Sequence, residues 1–283
     1  MPPSPRVLLS IDYEPWFALT RRFDNLTDSI QRCQLDGGFT RSALEPILEK
    51  LGSARASFYM VGEVAEWHPE IPEKIMTTGH ELGLHCQVHR SLVNKSELAK
   101  DILASAAWCK KYHVRGYRAP MVGMSESAYA LLEETGFSYS SSIYAPSGTL
   151  LKKGNIWEIP VSTFRFFGNE KMYTAPRDFS MRLLAGGEFP YGSSFSIGLL
   201  DKWILKFIER DLKAGHSPVI FLHPYELVTP DNWPARIALD LIRYPLLWPF
   251  TRNKAGFLTD LLRSFPVSPL GTYIDEVRKS QAS

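Results

Sequence analysis

Short apolar runs alternate with amphipathic stretches along most of this chain, and that alternation limits the fold more than any other feature. Val7–Asp12, Ala56–Val61 and Glu81–Leu84 read as strands, and Arg41–Leu51 and Glu70–Thr77 carry a helical period between them. The rhythm continues with a helix over Lys95–Tyr112, a strand at Gly116–Arg118, a helix over Glu126–Thr135 and strands near Tyr139–Ser142 and Ile156–Val161. Ser125 and Gly136 suit the two ends of the Glu126–Thr135 helix, one as a side-chain cap and the other as a residue tolerant of left-handed backbone. Farther on, amphipathic Leu199–Lys213 leads past Gly215 into an apolar strand at Pro218–Leu222, and Ala255–Arg263 reads as a closing helix. Repeated strand-then-helix units bury a parallel sheet, either open and doubly wound or closed into a barrel, and periodicity does not separate the two.

At 283 residues the chain fits a single α/β domain spanning 1–283, with no internal repeat, low-complexity segment or linker. A hydrophobic content of 45% with 22% charged residues is that of a folded protein. The formal charge of +2, with no concentrated basic face, argues against a nucleic-acid partner. Cys33, Cys86 and Cys109 are unpatterned, so neither a disulfide framework nor a paired-cysteine zinc site is expected, and a reducing compartment fits. The first residues lack a signal-peptide pattern and no apolar run approaches the length of a transmembrane span, so a cytoplasmic protein is expected. Leu241–Phe250 is apolar but short and broken by two prolines, and reads as a packed loop or as a peripheral contact with a membrane.

Asp12, His85, Arg118 and His223 each fall at or just past the C-terminal end of a predicted strand, from four separate units. In a closed barrel such ends meet at one mouth, which favours the barrel. Tyr13–Gly38 and Ser162–Phe195 then read as loops around that mouth. His85 and His89, four apart, point the same way on one helical turn and can share a metal, although exposed histidines on a capped turn have the same spacing. Asp12 and Glu14, two apart, project to one side of a strand. Two histidines and one acid of that pair leave coordination positions open for water and substrate, which marks a catalytic metal site rather than a structural one.

These residues carry a resemblance. The chain resembles the polysaccharide deacetylase (NodB-homology, carbohydrate esterase) family, in its branch with an Asp-x-Glu first motif. The resemblance runs through Ser10-Ile11-Asp12-Tyr13-Glu14-Pro15-Trp16-Phe17, then Ala56–Glu63, Gly79–His85 with His89-Arg90-Ser91-Leu92, Gly116-Tyr117-Arg118-Ala119-Pro120, Glu158-Ile159-Pro160-Val161 and Phe221-Leu222-His223-Pro224. It implies a distorted (β/α) barrel with fewer than eight strands, and metal-dependent hydrolysis of the N-acyl group, acetyl first, of an amino sugar or glycoconjugate precursor. It also implies a divalent metal, zinc first, on Glu14, His85 and His89, with Asp12 as general base. Arg118 would orient Asp12, His223 would protonate the leaving amine, and the backbone N–H of Met121 would help hold the oxyanion.

The chain departs from the family pattern at three places. Tyr13 fills the place of a second aspartate, and Cys86 stands where Ser or Thr usually follows the first histidine. Ser140 falls where an acid often supports the acidic histidine, leaving Glu158 as a substitute or as an ordinary strand-end acid. His68, His80, His113 and His216 read as surface or helix-end residues, while Trp16, Tyr144, Tyr191 and Tyr225 are candidates to stack on a sugar ring. Three other functions stay open: a lipid-linked sugar deformylase, a metal-free cyclic amide or ureide hydrolase, and an inactive glycan-binding homologue. The sequence carries no signal for an oligomeric state.

Overall fold

The computed structural model describes residues 3–90, 95–167 and 173–282. Among them, β1 (Val7–Tyr13), β2 (Ser57–Val61), β3 (Glu81–Cys86), β4 (Gly116–Tyr117) and β5 (Tyr139–Ser140) follow one another in chain order. They are followed by β6 (Tyr144–Pro146), β7 (Leu151–Lys153), β8 (Ile156–Glu158), β9 (Val161–Arg165), β10 (Glu188–Phe189), β11 (Val219–Leu222) and β12 (Val267–Ser268). The main sheet runs β11-β1-β2-β3-β4-β5-β8-β7, with β12 also paired to β1. Seven strands of that path, from β11 to β8, are mutually parallel, and β7 adds an antiparallel edge. This curled parallel sheet, with helices around it, is a distorted (β/α) barrel in one domain.

Every residue of β1 is buried, as a continuous apolar run covered on both faces requires. A small second sheet, β10-β9-β6, packs beside β11 through β9. The chain at Gly192 spans the seam: its N–H donates to Ser162 O (2.9 Å) and its carbonyl accepts from Phe221 N (3.1 Å). A Cβ at Gly192 would sit 2.2 Å from Val219 O, so the close approach of these backbones excludes a side chain.

Several sequence expectations are corrected. Ile156–Val161 is two strands in two sheets, separated at Pro160, which has no N–H to continue a ladder. The Tyr13–Gly38 stretch contains a helix, Ser29–Asp36, capped by Asp28 accepting from Gln31 N at 2.8 Å. Its inward face is charged, with buried Arg32 paired to Glu63 at 2.6 Å, so it carries no apolar stripe to read. Ser162–Phe195 includes β9, a helix at Met181–Ala185 and β10. The Leu199–Lys213 stretch breaks at Asp201, whose φ is 48°. Ser125 bonds to Ser127 rather than capping the helix, and the helices at Trp233–Arg243 and Leu270–Ala282 were not anticipated.

His80, read as a surface or helix-end residue, does close the Glu70–Thr77 helix, its N–H donating to Ile75 O at 3.1 Å, but it is buried. Its Nδ1 accepts the Ala56 N–H at 3.2 Å, and burial, helped by nearby Arg55, lowers its pKa from 6.5 to about 4. A histidine kept neutral by folding contributes stability that is fully present above its unfolded pKa and is lost as pH falls towards the folded one. Denaturation midpoints are therefore expected to fall between pH 6.5 and about 4. A His80→Asn variant should show a shallower decline, and equal slopes would rule out His80 as the cause.

Candidate active site

The register of the sheet gathers the site. Leu222 lies opposite Ile11, so the chain leaving β11 brings His223 beside Asp12. Leu84 lies opposite Tyr117, so His85 comes level with Arg118. Along β1 the side chains alternate, and Tyr13 turns away to donate its hydroxyl to Thr40 O while Asp12 and Glu14 face the mouth.

Glu14 Oε2 lies 3.1 Å from His89 Nε2 and 3.6 Å from His85 Nε2. Its other oxygen accepts from the Tyr225 hydroxyl at 2.8 Å and lies 3.7 Å from His223 Nε2. The donor atoms of Glu14, His85 and His89 all lie within 4.8 Å of one another. His85 Nδ1 is 2.8 Å from the Arg118 carbonyl, to which it must donate, leaving Nε2 as a lone pair aimed at the cluster. Glu14 Oε2 is buried with no hydrogen-bond partner among the described residues. Burial alone would raise the Glu14 pKa, but His89, His223 and His85 overcome it and hold the carboxyl down to about 2. Burial keeps His89 neutral, lowering its pKa to about 4 against the pull of Glu14. A deprotonated acid and neutral imidazoles are the forms that ligate a cation. Ligand bonds of about 2.0–2.2 Å place donor atoms roughly 3–3.6 Å apart at angles between square and tetrahedral. The residues therefore fit a divalent metal. The two histidines do not share a helical turn: His85 is within β3 and His89 lies in the bend after it, while Ser91 and Leu92 lie outside the described residues.

Arg118, fully buried, donates from Nη1 to Asp12 Oδ1 at 2.8 Å and to Ser10 Oγ at 2.7 Å. Its Nε and Nη2 donate to Ser141 O (2.9 Å) and Ser141 Oγ (2.8 Å), and its guanidinium lies against the Tyr59 and Phe221 rings. Asp12 is thus fixed by a cation that cannot swing away.

A cavity of about 530 Å³ opens over these groups, lined by Asp12, Glu14, His85, His89 and His223, with apolar side chains and Arg21, Asp24 and Arg90 around them. Tyr144 and Tyr225 line it, whereas Trp16 packs in the core against Trp233 and Tyr191 is buried against Phe207 and Asp211. Met121 also lines the cavity, in a left-handed turn with φ 57°.

Residues 17–140 match the family model for polysaccharide deacetylase. Over that stretch, less than half of its length, the chain is similar to this family. It is a hydrolase acting on carbon–nitrogen bonds. The matched stretch holds His85, His89 and Arg118, and Asp12, Glu14 and His223 flank it. Solved structures show the same fold. A Mycobacterium smegmatis protein provisionally named a polysaccharide deacetylase aligns at 18% identity with a TM-score of 0.60, over 99% of this chain and 96% of its own. The PuuE allantoinase aligns at 14% identity and 0.53, over 91% and 88%. The peptidoglycan deacetylase PdaC of Bacillus subtilis aligns at 12% identity and 0.50, over 100% and 96%.

The carboxylate beside His223 is Glu226 and not Glu158. Glu226 Oε2 lies 3.2 Å from His223 Nδ1 and accepts the His223 N–H at 2.8 Å. Its Oε1 is held by Lys254 Nζ (2.5 Å) and Ser194 Oγ (2.9 Å). Burial works against charge at all three ionisable groups. Lys254 and His223 nevertheless keep the Glu226 carboxyl below its ordinary range, and Glu226 and Glu14 raise the His223 imidazole. Glu158 instead accepts from the Ser142 and Ile143 N–H groups and from Tyr129, bracing the loop that cradles Arg118. The signals available in the sequence were the acid three residues after His223 and the run Ser140-Ser141-Ser142 at the end of a predicted strand. Lys254 gave none.

Proposed function

We propose that this chain hydrolyses the N-acyl group, acetyl first, of an amino sugar or glycoconjugate precursor, using a divalent metal, zinc first, on Glu14, His85 and His89. The observation that carries the reading is the buried Glu14 Oε2, without a hydrogen-bond donor of its own and 3.1 Å from an imidazole nitrogen held neutral by burial. When bound, such an ion polarises the amide carbonyl and lowers the pKa of water to about 7, making a nucleophile available at neutral pH. Asp12, oriented by Arg118, takes the proton of the attacking water as its oxygen bonds to the carbonyl carbon. The Met121 N–H stabilises the developing oxyanion. His223, whose Nδ1 is tied to Glu226, gives its Nε2 proton to the amine nitrogen as the C–N bond breaks, so that the nitrogen leaves as a neutral amine.

Acetate and formate release from a panel of free, nucleotide-linked and lipid-linked acylamido sugars, with and without zinc, tests the proposal. Release from at least one sugar should stop on chelation and return with zinc. Full activity after chelation would favour a metal-free ring-opening hydrolase, and sugar binding without release would favour a glycan-binding protein.

A further inference from the structure

One side of the cavity is formed by an apolar arm of the chain. The helix Trp233–Arg243 buries Trp233, Ile237 and Asp240 on one face, at helical spacing. Its other face is also apolar: Leu239 is 66% and Ile242 78% exposed. The arm continues through Pro245–Leu247 and Trp248–Thr251, where Leu246 is 77% exposed and Tyr244 and Trp248 are each 50% exposed. Leu199, 47% exposed, joins this surface from the neighbouring helix, which packs on the arm so closely that a Cβ at Gly198 would meet Pro249 O at 1.9 Å.

Two further observations say what covers this surface. The first is charge. Between Asn232 and Asn253 the one acidic residue is Asp240, which is buried and accepts from Thr20 Oγ1 at 2.6 Å, while Arg243 is exposed and Arg252 lies over the Trp248 ring. An acidic residue, Asp231, is exposed only before the arm begins. The outward face is therefore apolar, aromatic and cationic. The second is continuity. Tyr244, Leu247 and Phe250 of the same arm line the cavity with Leu19, Val122 and Phe179, making an apolar side that runs from the exposed surface towards Asp12 and Glu14, while Arg21, Asp24 and Arg90 line the cavity elsewhere.

We infer that the Trp233–Thr251 arm docks on an anionic lipid surface, and that the substrate is an acylamido sugar borne on a lipid whose chain leaves along this side of the cavity. Apolar side chains enter the boundary of the bilayer, Trp and Tyr sit at headgroup level, and arginine meets the anionic headgroups. No described helix is long and apolar enough to cross a membrane, which makes the contact peripheral. The docking stands on the arm alone; the identity of the substrate rests on the proposed acyl hydrolysis.

The full chain should co-sediment with vesicles of mixed phosphatidylglycerol and phosphatidylcholine, more weakly with phosphatidylcholine alone, and less as salt is raised. Ile242→Asp/Leu246→Asp should lose roughly tenfold or more in vesicle affinity, because each buried aliphatic side chain contributes on the scale of a tenfold change. Arg243→Glu/Arg252→Glu should lose the preference for anionic vesicles. Neither pair should change acetate release from the methyl glycoside of N-acetylglucosamine, whereas Ile242→Asp/Leu246→Asp should raise KM for a dodecyl glycoside. Wild-type protein that ignores anionic vesicles, or apolar-face variants that bind them as well as wild type, would overturn the docking. So would a dimer in solution that the apolar-face variants split, since the face would then belong to a second copy. Vesicle binding as expected with no acyl release from any sugar would leave the docking standing and remove the proposed function; release without vesicle binding would do the reverse.

Discussion

Asp12→Asn is expected to lower turnover by about 10²–10⁴-fold, the usual contribution of a positioned base, while leaving metal content unchanged. The variant keeps an oxygen facing Arg118 Nη1, now 2.8 Å from the carboxylate, so the local fold has little reason to move. Glu14→Ala removes the one oxygen that faces both imidazoles, at 3.1 and 3.6 Å, and should instead empty the site. Elemental analysis beside single-turnover acetate release separates the two. Should Asp12→Asn alone purify without metal, base and ligand exchange places along β1.

Glu226→Ala is expected to be costly in both stability and rate. It leaves Lys254 buried without its 2.5 Å partner and His223 Nδ1 with only the Ser194 hydroxyl, 3.2 Å away, and a buried ion pair broken from one side costs about 3–5 kcal/mol. Adding Lys254→Met should recover part of that loss, because the stranded ammonium is gone. The rate should not recover, since the imidazole still lacks its carboxylate. If His223 acts in C–N cleavage, kcat falls with little change in KM. Full turnover in a folded Glu226→Ala/Lys254→Met protein would show that Glu226 serves stability alone.

Much of the floor of the site could be read from the sequence because strand ends carry their own signals. A buried apolar run that finishes on Asp12, His85, Arg118 or His223 places each side chain at the mouth without any knowledge of which strand neighbours which. The local geometry was less legible. His85 and His89 converge through a strand and the bend that follows it, and four-residue spacing suits that as well as a helical turn. What could not be read were contacts made across long separations by residues with no pattern of their own. Lys254 reaches Glu226 over 28 positions, and nothing around it marks a lysine bound for the interior. The helix Ser29–Asp36 escaped notice for a related reason: its inward contacts are Arg32 with Glu63 and Asp36 with Thr40, so it buries charge where the period method looks for oil. The Trp233–Arg243 helix does carry the period, with Trp233, Ile237 and Leu241 on one side and Arg236 and Arg243 on another, but the prolines on either side of it, Pro230 and Pro245, make the stretch read as a loop.

Arg118 has one further consequence. With its guanidinium wholly enclosed and bonded to Ser10, Asp12 and Ser141, it joins strands β1 and β4 and the chain after β5 in one knot of hydrogen bonds, so the reactive floor is also part of what keeps the barrel closed. The exposed arm from Leu239 to Trp248 has no such second duty. Inheritance can therefore rewrite the two at different rates: a change at the floor is screened first by whether the protein survives in the cell, whereas a change along the arm is screened by what it brings to the door. Lineages built on this scaffold have room to exchange clients while keeping their chemistry.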